Sequence, residues 1–267
     1  MSQTLSPGDV SAYLGRIGID APAGIGLDAL TRLQLAHLQS VPFENLAIFA
    51  GRSVTTDNNW TFSKVVDQVR GGWCFELNGA FAQLLEALDF TVYRLAAAVL
   101  VGGPNKVVDH LVLEVVLDQP YLVEVGFGDD APIVPLPLQA AGPIETRCGT
   151  FEFLNSPQGT TLTQIVDGVP EARYRFKRVN HAPIDFEPAS MRLQDDPKLF
   201  WSTSPFATRL IDDQGTRLTL TRDRLRTRRG EKTTDESVDP HDWNDVLFEH
   251  FGIVEQVPPE ALERRPD

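Results

Sequence analysis

One cysteine of this chain, Cys74, stands where a catalytic thiol could be placed. The stretch before it, Arg70 to Trp73, contains two adjacent glycines, which allow a backbone turn that residues with a Cβ would resist. Apolar residues then recur at helical spacing at Leu77, Phe81, Leu84, Leu85 and Leu88, which predicts a helix that begins close to Cys74. The positive end of a helix favours a thiolate, the form that attacks an acyl group. A buried, unreactive cysteine is the alternative interpretation.

A catalytic thiol needs a base, and His110 is the best candidate. It opens a predicted strand, His110 to Leu117, whereas His37, His241 and His250 lie in or beside helices, where we expect surface or half-buried positions. A strand histidine, a carboxylate on the next strand and a helical cysteine form the papain-like arrangement of cysteine proteases and acyltransferases.

Three carboxylates could orient His110: Glu124, Asp129 and Asp130. A tight turn at Asp118 to Pro120 would place His110 opposite about residue 128, so the strand register does not choose cleanly among them. A β-bulge would bring Glu124 closer to the histidine.

These residues fall in regions of different periodicity. Residues 1 to about 90 have helical patterns, with a Ser6-Pro7 helix start, a second helix over Leu27 to Gln39 and a short one near Phe62 to Val69. From Thr91 the pattern changes to strands, and the middle third is predicted to form a small antiparallel barrel or sheet. The last third is mixed: it has a strand over Arg217 to Arg226, a loop-like segment at Gly230 to Asp239 and a helix around Trp243 to Phe251. The predicted strands of the middle third are Thr91 to Val101, His110 to Leu117, Tyr121 to Phe127, and parts of 150–154, 160–166 and 173–177.

Composition narrows the class of protein. The chain has 267 residues and a net charge of −13, which argues against general nucleic-acid binding. Its two cysteines, Cys74 and Cys148, allow no disulfide framework, and Cys148 is interpreted as structural. No secretory signal or membrane-length apolar run is present, so we expect a cytoplasmic protein. No metal-ligand spacing is found, and no metal is predicted.

The spacing and identity of these stretches resemble the arylamine N-acetyltransferase family. The resemblance rests on Arg70 to Asn78, Asp109-His110-Leu111 and Val123 to Gly128, which is Val-Glu-Val-Gly-Phe-Gly. Further matches are Val41 to Leu46, Ser202 to Phe206 and Phe251-Gly252-Ile253, so the resemblance covers most of the chain in order.

That resemblance implies an α+β fold with three parts and a papain-like cysteine active site. Residues 1–90 would form a helical bundle with Cys74, residues 91–195 an antiparallel β-barrel with His110 and Glu124, and residues 196–267 an α/β lid. It also implies a ping-pong reaction, in which Cys74 takes acetyl from acetyl-CoA as a thioester. An arylamine, arylhydroxylamine or hydrazine would then take the acetyl group.

Two positions depart from the family pattern. Glu124 stands where the family's third triad residue is normally aspartate, and its extra methylene moves the carboxylate by about one bond, although orienting groups need placement to within roughly 0.5 Å. Either the strand or the His110 ring shifts to compensate, or Glu124 pairs differently and Asp129 assists. Asp109, where threonine is common, adds a negative charge beside the base.

The resemblance also suggests ligand contacts. Phe43, Phe127 and Phe206 stand where the family's pocket phenylalanines stand, although simple core packing would also explain them. Gly126 and Gly128 are candidates for contact with the pantetheine of CoA, because glycine allows close approach. The basic cluster between Arg217 and Lys232 could meet CoA phosphates, but a solvated strand face balanced by acidic neighbours is the simpler interpretation.

Two other functions remain open from sequence. The same three residues would serve an amide synthase or another acyltransferase that uses a different acyl thioester. Because of Glu124 and Asp109, a non-catalytic relative that binds CoA or aromatic ligands is a further possibility.

Overall fold

The computed structural model describes residues 4–129 and 131–263, in which helices and antiparallel strands build an α+β fold. A one-turn π-helix over Ser63–Asp67 and a 3-10 helix over Pro183–Phe186 complete the helical segments. The α-helices are α1 (Pro7–Ile17), α2 (Leu27–Ser40), α3 (Leu46–Phe49), α4 (Asn58–Phe62), α5 (Cys74–Ala87), α6 (Glu187–Gln194), α7 (Phe200–Thr203), α8 (Trp243–Phe251) and α9 (Pro259–Glu263).

The strands form two antiparallel sheets. The larger is a nearly closed, barrel-like sheet of eight strands in the order β5-β4-β3-β2-β9-β8-β7-β6, and the smaller has the order β1-β10-β11-β12-β13. The strands are β1 (Phe43–Glu44), β2 (Thr91–Val99), β3 (His110–Val116), β4 (Pro120–Val123), β5 (Leu136–Pro137), β6 (Ile144–Thr146), β7 (Gly149–Ser156), β8 (Gly159–Val166), β9 (Val169–Asn180), β10 (Ala207–Leu210), β11 (Arg217–Leu220), β12 (Arg224–Arg229) and β13 (Lys232–Ser237).

Local sequence accounts for the start of α1 as predicted. The Ser6 hydroxyl accepts a hydrogen bond from the Asp9 N–H at 3.2 Å, and the Asp9 carboxylate accepts one from the Ser6 N–H at 2.9 Å. This reciprocal capping satisfies donors that a helix N-terminus otherwise leaves unpaired. Pro7 occupies the first turn, where its missing N–H costs nothing.

The helix that begins at Cys74 packs its apolar residues into the largest core. Leu77, Phe81, Leu84 and Leu85 are fully buried there, and the helix packs against α1, α4 and the strands β2 and β3. At about 25 cal/mol for each Å² of apolar surface removed from water, each such side chain contributes roughly 1.5–3 kcal/mol, so this helix is held by packing along its length.

The register between β3 and β4 differs from the predicted one by two residues. Val116 faces Pro120 and Leu113 faces Val123, which extrapolates to residue 126 opposite His110, rather than about 128. The strand predicted over Tyr121 to Phe127 is also shorter, because β4 ends at Val123. Glu124 therefore follows the last strand residue directly.

The C-terminal third contains more strand than expected. The strand predicted over Arg217 to Arg226 is a hairpin, β11 and β12, whose turn lies between Leu220 and Arg224. The segment Gly230 to Asp239, predicted to be loop-like, contains β13, which pairs with β12 along its whole length. The short helix predicted near Phe62 to Val69 begins earlier, as α4, and continues as the π-helix.

One strand of the smaller sheet, β1, comes from the N-terminal part of the chain. Phe43 and Glu44, from the N-terminal region, pair with Thr208 and Ala207 of β10. The predicted division into residues 1–90, 91–195 and 196–267 remains a prediction, but α5 ends at Ala87 and β2 begins at Thr91, so helices give way to strands close to residue 90.

His37 is fully buried, so the expectation of a surface or half-buried side chain was wrong. It lies on the apolar face of α2, and its ring stacks on Phe81 with a centroid distance of 5.1 Å. Among the described residues, neither ring nitrogen has a hydrogen-bond partner. Burial, and secondarily the charge of Arg16, lowers the pKa of His37 to about 3, so the ring is neutral in the folded protein.

This burial predicts a specific acid sensitivity. Below about pH 6.5 the unfolded chain binds a proton at His37, whereas the folded chain does not. The free energy of unfolding therefore falls by up to about 1.4 kcal/mol for each unit by which the pH is lowered. In His37→Leu this contribution disappears. Urea denaturation at pH 7, 6, 5 and 4 should therefore show that the free energy of unfolding of the variant rises relative to that of the wild type as pH falls. His241→Leu, at an exposed position, is the matched control; parallel pH profiles for His37→Leu and the wild type would contradict the prediction.

Candidate active site

The two residues before Trp73 must be glycines because other parts of the protein, including the backbone at Pro42, lie very close to them. The Gly72 carbonyl accepts a hydrogen bond from the Glu44 N–H at 2.9 Å, and the Gly72 N–H donates to the Pro42 carbonyl at 3.3 Å. A Cβ on Gly71 would lie 2.0 Å from the Pro42 oxygen, and one on Gly72 would lie 2.6 Å from Glu76 Oε2. The glycines therefore let the segment before α5 lie against β1.

Cys74 is the first residue of α5, as predicted, and a buried carboxylate supports this helix start. Glu76 accepts hydrogen bonds from the Trp73 N–H at 3.3 Å and from Lys64 Nζ at 2.8 Å on each oxygen. Trp60 Nε1 donates to the same carboxylate at 3.3 Å. Glu76 and Lys64 are both buried, so each needs the other as its counter-ion. Loss of either one would leave an uncompensated charge beside the start of α5.

His110 and Glu124 form a buried hydrogen-bonded pair beside Cys74. The His110 Nε2 atom lies 2.7 Å from Glu124 Oε2, and both side chains are almost fully excluded from solvent. With Nε2 directed at the carboxylate, Nδ1 is the ring nitrogen left for the sulfur. The Cys74 Sγ atom also lies 3.8 Å from the main-chain oxygen of Asp109, the residue before His110.

Three donors satisfy the Glu124 carboxylate. His110 contacts Oε2, while Asn78 Nδ2 at 2.7 Å and the Gly126 N–H at 2.8 Å both donate to Oε1. The structure therefore accommodates the longer side chain: the segment after β4 places the Glu124 backbone so that its carboxylate reaches His110.

Asp129 has different partners. It forms ion pairs with Arg228 and Arg217, the latter at 3.5 Å, and it is about half exposed. The other sequence candidate, Asp130, lies outside the described residues. Of the described candidates, Glu124 is the carboxylate that contacts the histidine.

The surroundings of His110 favour its protonated form. Burial alone would lower the pKa of the imidazole, but the charge of Glu124 and the hydrogen bonds with Cys74 and Glu124 outweigh it and raise the pKa of His110 well above 6.5. At neutral pH the ring is then an imidazolium, which is the counter-ion that a neighbouring thiolate needs.

Two further side chains complete this group. Asn78 lies one helical turn after Cys74, and its amide also bonds the Leu111 carbonyl and the Val125 N–H. Tyr174, from β9, is fully buried with its ring 5.1 Å from that of His110, and burial together with the charge of Glu124 raises the pKa of its hydroxyl. The i, i+4 spacing from Cys74 could have revealed Asn78, whereas no local signal identifies Tyr174.

An aromatic cleft of about 540 Å³ lies next to the histidine. The three phenylalanines expected at a ligand pocket, Phe43, Phe127 and Phe206, all line it, and the Phe127 ring is 5.2 Å from that of His110. Phe200 and Trp201 of α7 line the same cleft. These two rings were not among the residues expected at the pocket.

Asn45 holds α7 in place. Its Nδ2 donates to the Trp201 and Ser204 carbonyls, both at 2.8 Å, and its Oδ1 accepts from the Phe206 N–H at 3.0 Å. The Glu-Asn pair at 44–45 is thus explained by hydrogen bonds on both sides, because Glu44 in turn bonds Arg70 at 3.0 Å.

The two glycines predicted to contact CoA have different surroundings. Gly128, at φ +88°, lines the cleft and packs against the Phe43 ring. Gly126 instead lies against α5, where a Cβ would come within 2.8 Å of Cys74 Cα. A contact with pantetheine stays a prediction for both, but the packing against Cys74 already requires glycine at position 126.

The three arginines that line the cleft all have hydrogen-bond partners within the protein. Arg226 donates to Asp235 at 2.7 and 2.8 Å, and Arg224 pairs with Asp223 and Asp235. Arg222 donates to main-chain carbonyls, including that of Thr203 at 2.5 Å. These partners favour the solvated-face interpretation, and contact with CoA phosphates stays a prediction.

Two other kinds of feature are absent from residues 4–129 and 131–263. No group of three or more histidine, cysteine, aspartate or glutamate side chains there could hold a metal ion. None of the helices in these ranges has the length and hydropathy required to cross a membrane. Cys148, interpreted as structural, has its Sγ 3.3 Å from the Thr146 hydroxyl and is a free thiol.

Known proteins resemble this chain in both sequence and structure. A family model described as N-acetyltransferase matches residues 26–258. An arylamine N-acetyltransferase of Mycolicibacterium smegmatis is 33% identical over 77% of this chain and 78% of its own length. The chain belongs to the arylamine N-acetyltransferase family. It is therefore an acyltransferase, and the α+β fold expected from the sequence is confirmed.

Two solved structures place the enzyme within that family's fold. A Mycobacterium marinum arylamine N-acetyltransferase in complex with CoA superposes with a TM-score of 0.86, at 29% identity, over 95% of this chain and 97% of that one. A Bacillus cereus arylamine N-acetyltransferase, described as having a unique Cys-His-Glu catalytic triad, superposes with a TM-score of 0.84 at 23% identity, over 94% of this chain and 100% of that one. At that identity the second likeness concerns the fold alone.

The pairing of Glu124 with His110 predicts how the thiol reacts. In Glu124→Gln the shape is kept but the negative charge is lost, so the pKa of His110 falls and the ring becomes a weaker base toward the thiol. Each unit of fall in the pKa of His110 lowers the ratio of the thiolate–imidazolium form to the thiol–imidazole form about tenfold. We expect alkylation of Cys74 by iodoacetamide between pH 6 and 7 to slow by at least about tenfold.

Glu124→Asp is the matched variant, because it keeps the charge and shortens the side chain. It should give a smaller loss, since the carboxylate still faces His110 but can no longer keep all three of its hydrogen bonds. Cys148 is the internal reference thiol in both variants. Equal alkylation rates for the wild type and Glu124→Gln over this pH range would show that Glu124 does not act on the histidine.

Proposed function

We propose that the enzyme transfers acetyl from acetyl-CoA to an arylamine, arylhydroxylamine or hydrazine through an acetyl thioester on Cys74. His110 acts as the acid and base, and Glu124 orients it. The observation that carries this proposal is the buried His110–Glu124 pair, with a 2.7 Å contact, beside a cysteine at a helix N-terminus. Family membership supports the acyl-transfer chemistry.

In the first half-reaction the Cys74 thiolate attacks the acetyl carbonyl of acetyl-CoA. The carbonyl oxygen gains a negative charge, and main-chain N–H groups of the first turn of α5 are natural donors to it, because the first N–H groups of a helix lack intrahelical partners. The C–S bond to CoA then breaks. The departing sulfur takes the proton of the His110 imidazolium, leaving acetyl-Cys74 and neutral His110.

In the second half-reaction the acceptor nitrogen or oxygen attacks the thioester. Neutral His110 takes the proton that this atom loses, and the bond between the acetyl carbon and Cys74 Sγ breaks. The thiolate and imidazolium are then restored together. The hydrogen bond from His110 to Glu124 keeps the ring oriented through both proton transfers.

The aromatic cleft supports an aromatic acceptor. Phe127 adjoins His110, and four other rings line the same cavity. Rings in such a wall bind a flat aromatic ligand through offset stacking and edge contacts, worth about 0.5–1.5 kcal/mol per pair beyond surface burial. We propose Phe43, Phe127 and Phe206 as the residues that contact the acceptor ring, and the backbone at Gly126 and Gly128 as the approach for pantetheine.

Intact-protein mass spectrometry tests this proposal. Mixing the protein with acetyl-CoA should add the mass of one acetyl group, and subsequent addition of an arylamine such as 5-aminosalicylate should remove it. Cys74→Ala should gain no mass, whereas Cys148→Ala should behave as the wild type. An adduct with another acyl thioester but not with acetyl-CoA would indicate an amide synthase or other acyltransferase, and no adduct with any donor would indicate a non-catalytic relative.

A further inference from the structure

The loop between β2 and β3, residues 100–109, is closed at its base by the side chain of Asp109. One carboxylate oxygen accepts a hydrogen bond from the Val99 N–H at 2.8 Å, and the other accepts one from Asn105 Nδ2 at 2.6 Å. The ladder between the two strands ends at the pair Ala97 and His110. The carboxylate therefore supplies an acceptor for the Val99 N–H where the β3 backbone no longer does.

The rest of the loop depends on the same junction. The Asn105 side-chain oxygen accepts from the Val107 N–H at 2.9 Å, and its main-chain oxygen accepts from Arg175 of β9 at 3.0 Å. Arg192 of α6 donates to the Val108 carbonyl at 2.6 Å. The Asp109 and Asn105 side chains thus join the loop into one hydrogen-bonded unit.

Asp109 also adjoins both reacting side chains. Its main-chain oxygen is 3.8 Å from Cys74 Sγ, and the next residue is His110. A shift of the Asp109 backbone would move the oxygen that faces the sulfur and the imidazole together. Since reacting groups tolerate displacements of only about 0.5 Å, a restraint at this residue bears directly on the reaction.

The charged groups around the Asp109 carboxylate are His110 and Arg192, with Cys74 and Glu124 beyond the histidine ring. Burial raises the pKa of Asp109, while the Val99 N–H, His110, Asn105 and Arg192 oppose that rise. A role of Asp109 could therefore depend on its hydrogen bonds or on its charge, and these two possibilities predict different results for exchanged side chains.

We propose that Asp109 is a positioning residue for the acetyl transfer proposed above. By bridging the Val99 N–H and the Asn105 amide, its carboxylate holds the start of β3 so that His110 and the Asp109 carbonyl keep their places at Cys74. The hydrogen bonds carry this role, and the negative charge does not. This assigns a function to the carboxylate directly before the base.

A double-mutant cycle separates hydrogen bonds from charge. In Asp109→Asn two amide N–H₂ groups can face each other, and in Asn105→Asp two carboxylates do so. The double variant N105D/D109N exchanges the two side chains and restores the junction. In the double variant the side-chain amide at position 109 accepts a hydrogen bond from the Val99 N–H and donates one to the carboxylate at position 105. The other oxygen of that carboxylate accepts a hydrogen bond from the Val107 N–H. The negative charge has thereby moved away from His110.

We expect each single variant to slow the acetylation of Cys74 by acetyl-CoA about tenfold, and the double variant to return to within about twofold of the wild type. The pH profile of Cys74 alkylation by iodoacetamide should shift in the single variants and recover in the double one. Circular dichroism and thermal melting verify folding, and Asp109→Thr, which keeps a hydroxyl acceptor, provides a second test with an intermediate loss expected.

Two results would overturn the inference: single variants with wild-type rates and profiles, or a double variant as impaired as Asp109→Asn, which would assign the effect to charge. Failure of acetyl-CoA to modify the wild type would instead reject the proposed function. The alkylation profile needs no acetyl donor, so it still tests Asp109 in that case.

Discussion

The structure depends on keeping a carboxylate and an imidazole charged together inside the protein. His110 and Glu124 are buried, and removing such ions from water costs several kcal/mol each unless hydrogen bonds compensate. The compensation is complete at Glu124, which accepts bonds from His110, Asn78 and the Gly126 N–H. The segment after β4 therefore has two roles: it donates a hydrogen bond to the carboxylate, and it holds the carboxylate within hydrogen-bond distance of the histidine.

The same bonds tie three separate elements to the nucleophile. The Asn78 amide, on the helix that begins at Cys74, joins Leu111 of β3 to Glu124 and Val125 after β4. Gly126 then lies so close to Cys74 Cα that no side chain fits between them. Helix, strand and connecting segment cannot shift independently, so the relative positions of the sulfur, imidazole and carboxylate follow from the packing of one buried polar group.

The spacing of apolar residues in the sequence predicted the helices and strands whose position depends on local interactions. The helix at Cys74 and the strand at His110 have clear apolar periods, and both were found where expected. The end of β4 was missed because the backbone after Val123 bonds to α5, a contact between residues far apart in sequence. β13 was missed because all of its residues are exposed, which leaves no apolar alternation. His37 is buried although its side chain is polar, because it lies on the apolar face of α2.

The hydrogen bonds of Glu124 also affect how readily His110 releases its proton during acyl transfer. A lone buried carboxylate would hold an imidazolium strongly, and the proton would be slow to leave during acyl transfer. Here Asn78 and the Gly126 N–H face the second oxygen and share its negative charge, so the attraction for the imidazolium is moderated without loss of orientation. The extra methylene of glutamate is compatible with this balance because these donors bind the carboxylate oxygen that His110 does not contact. The requirement at this position is therefore a fully bonded carboxylate at the right distance, which either aspartate or glutamate can meet if the backbone is placed to suit it.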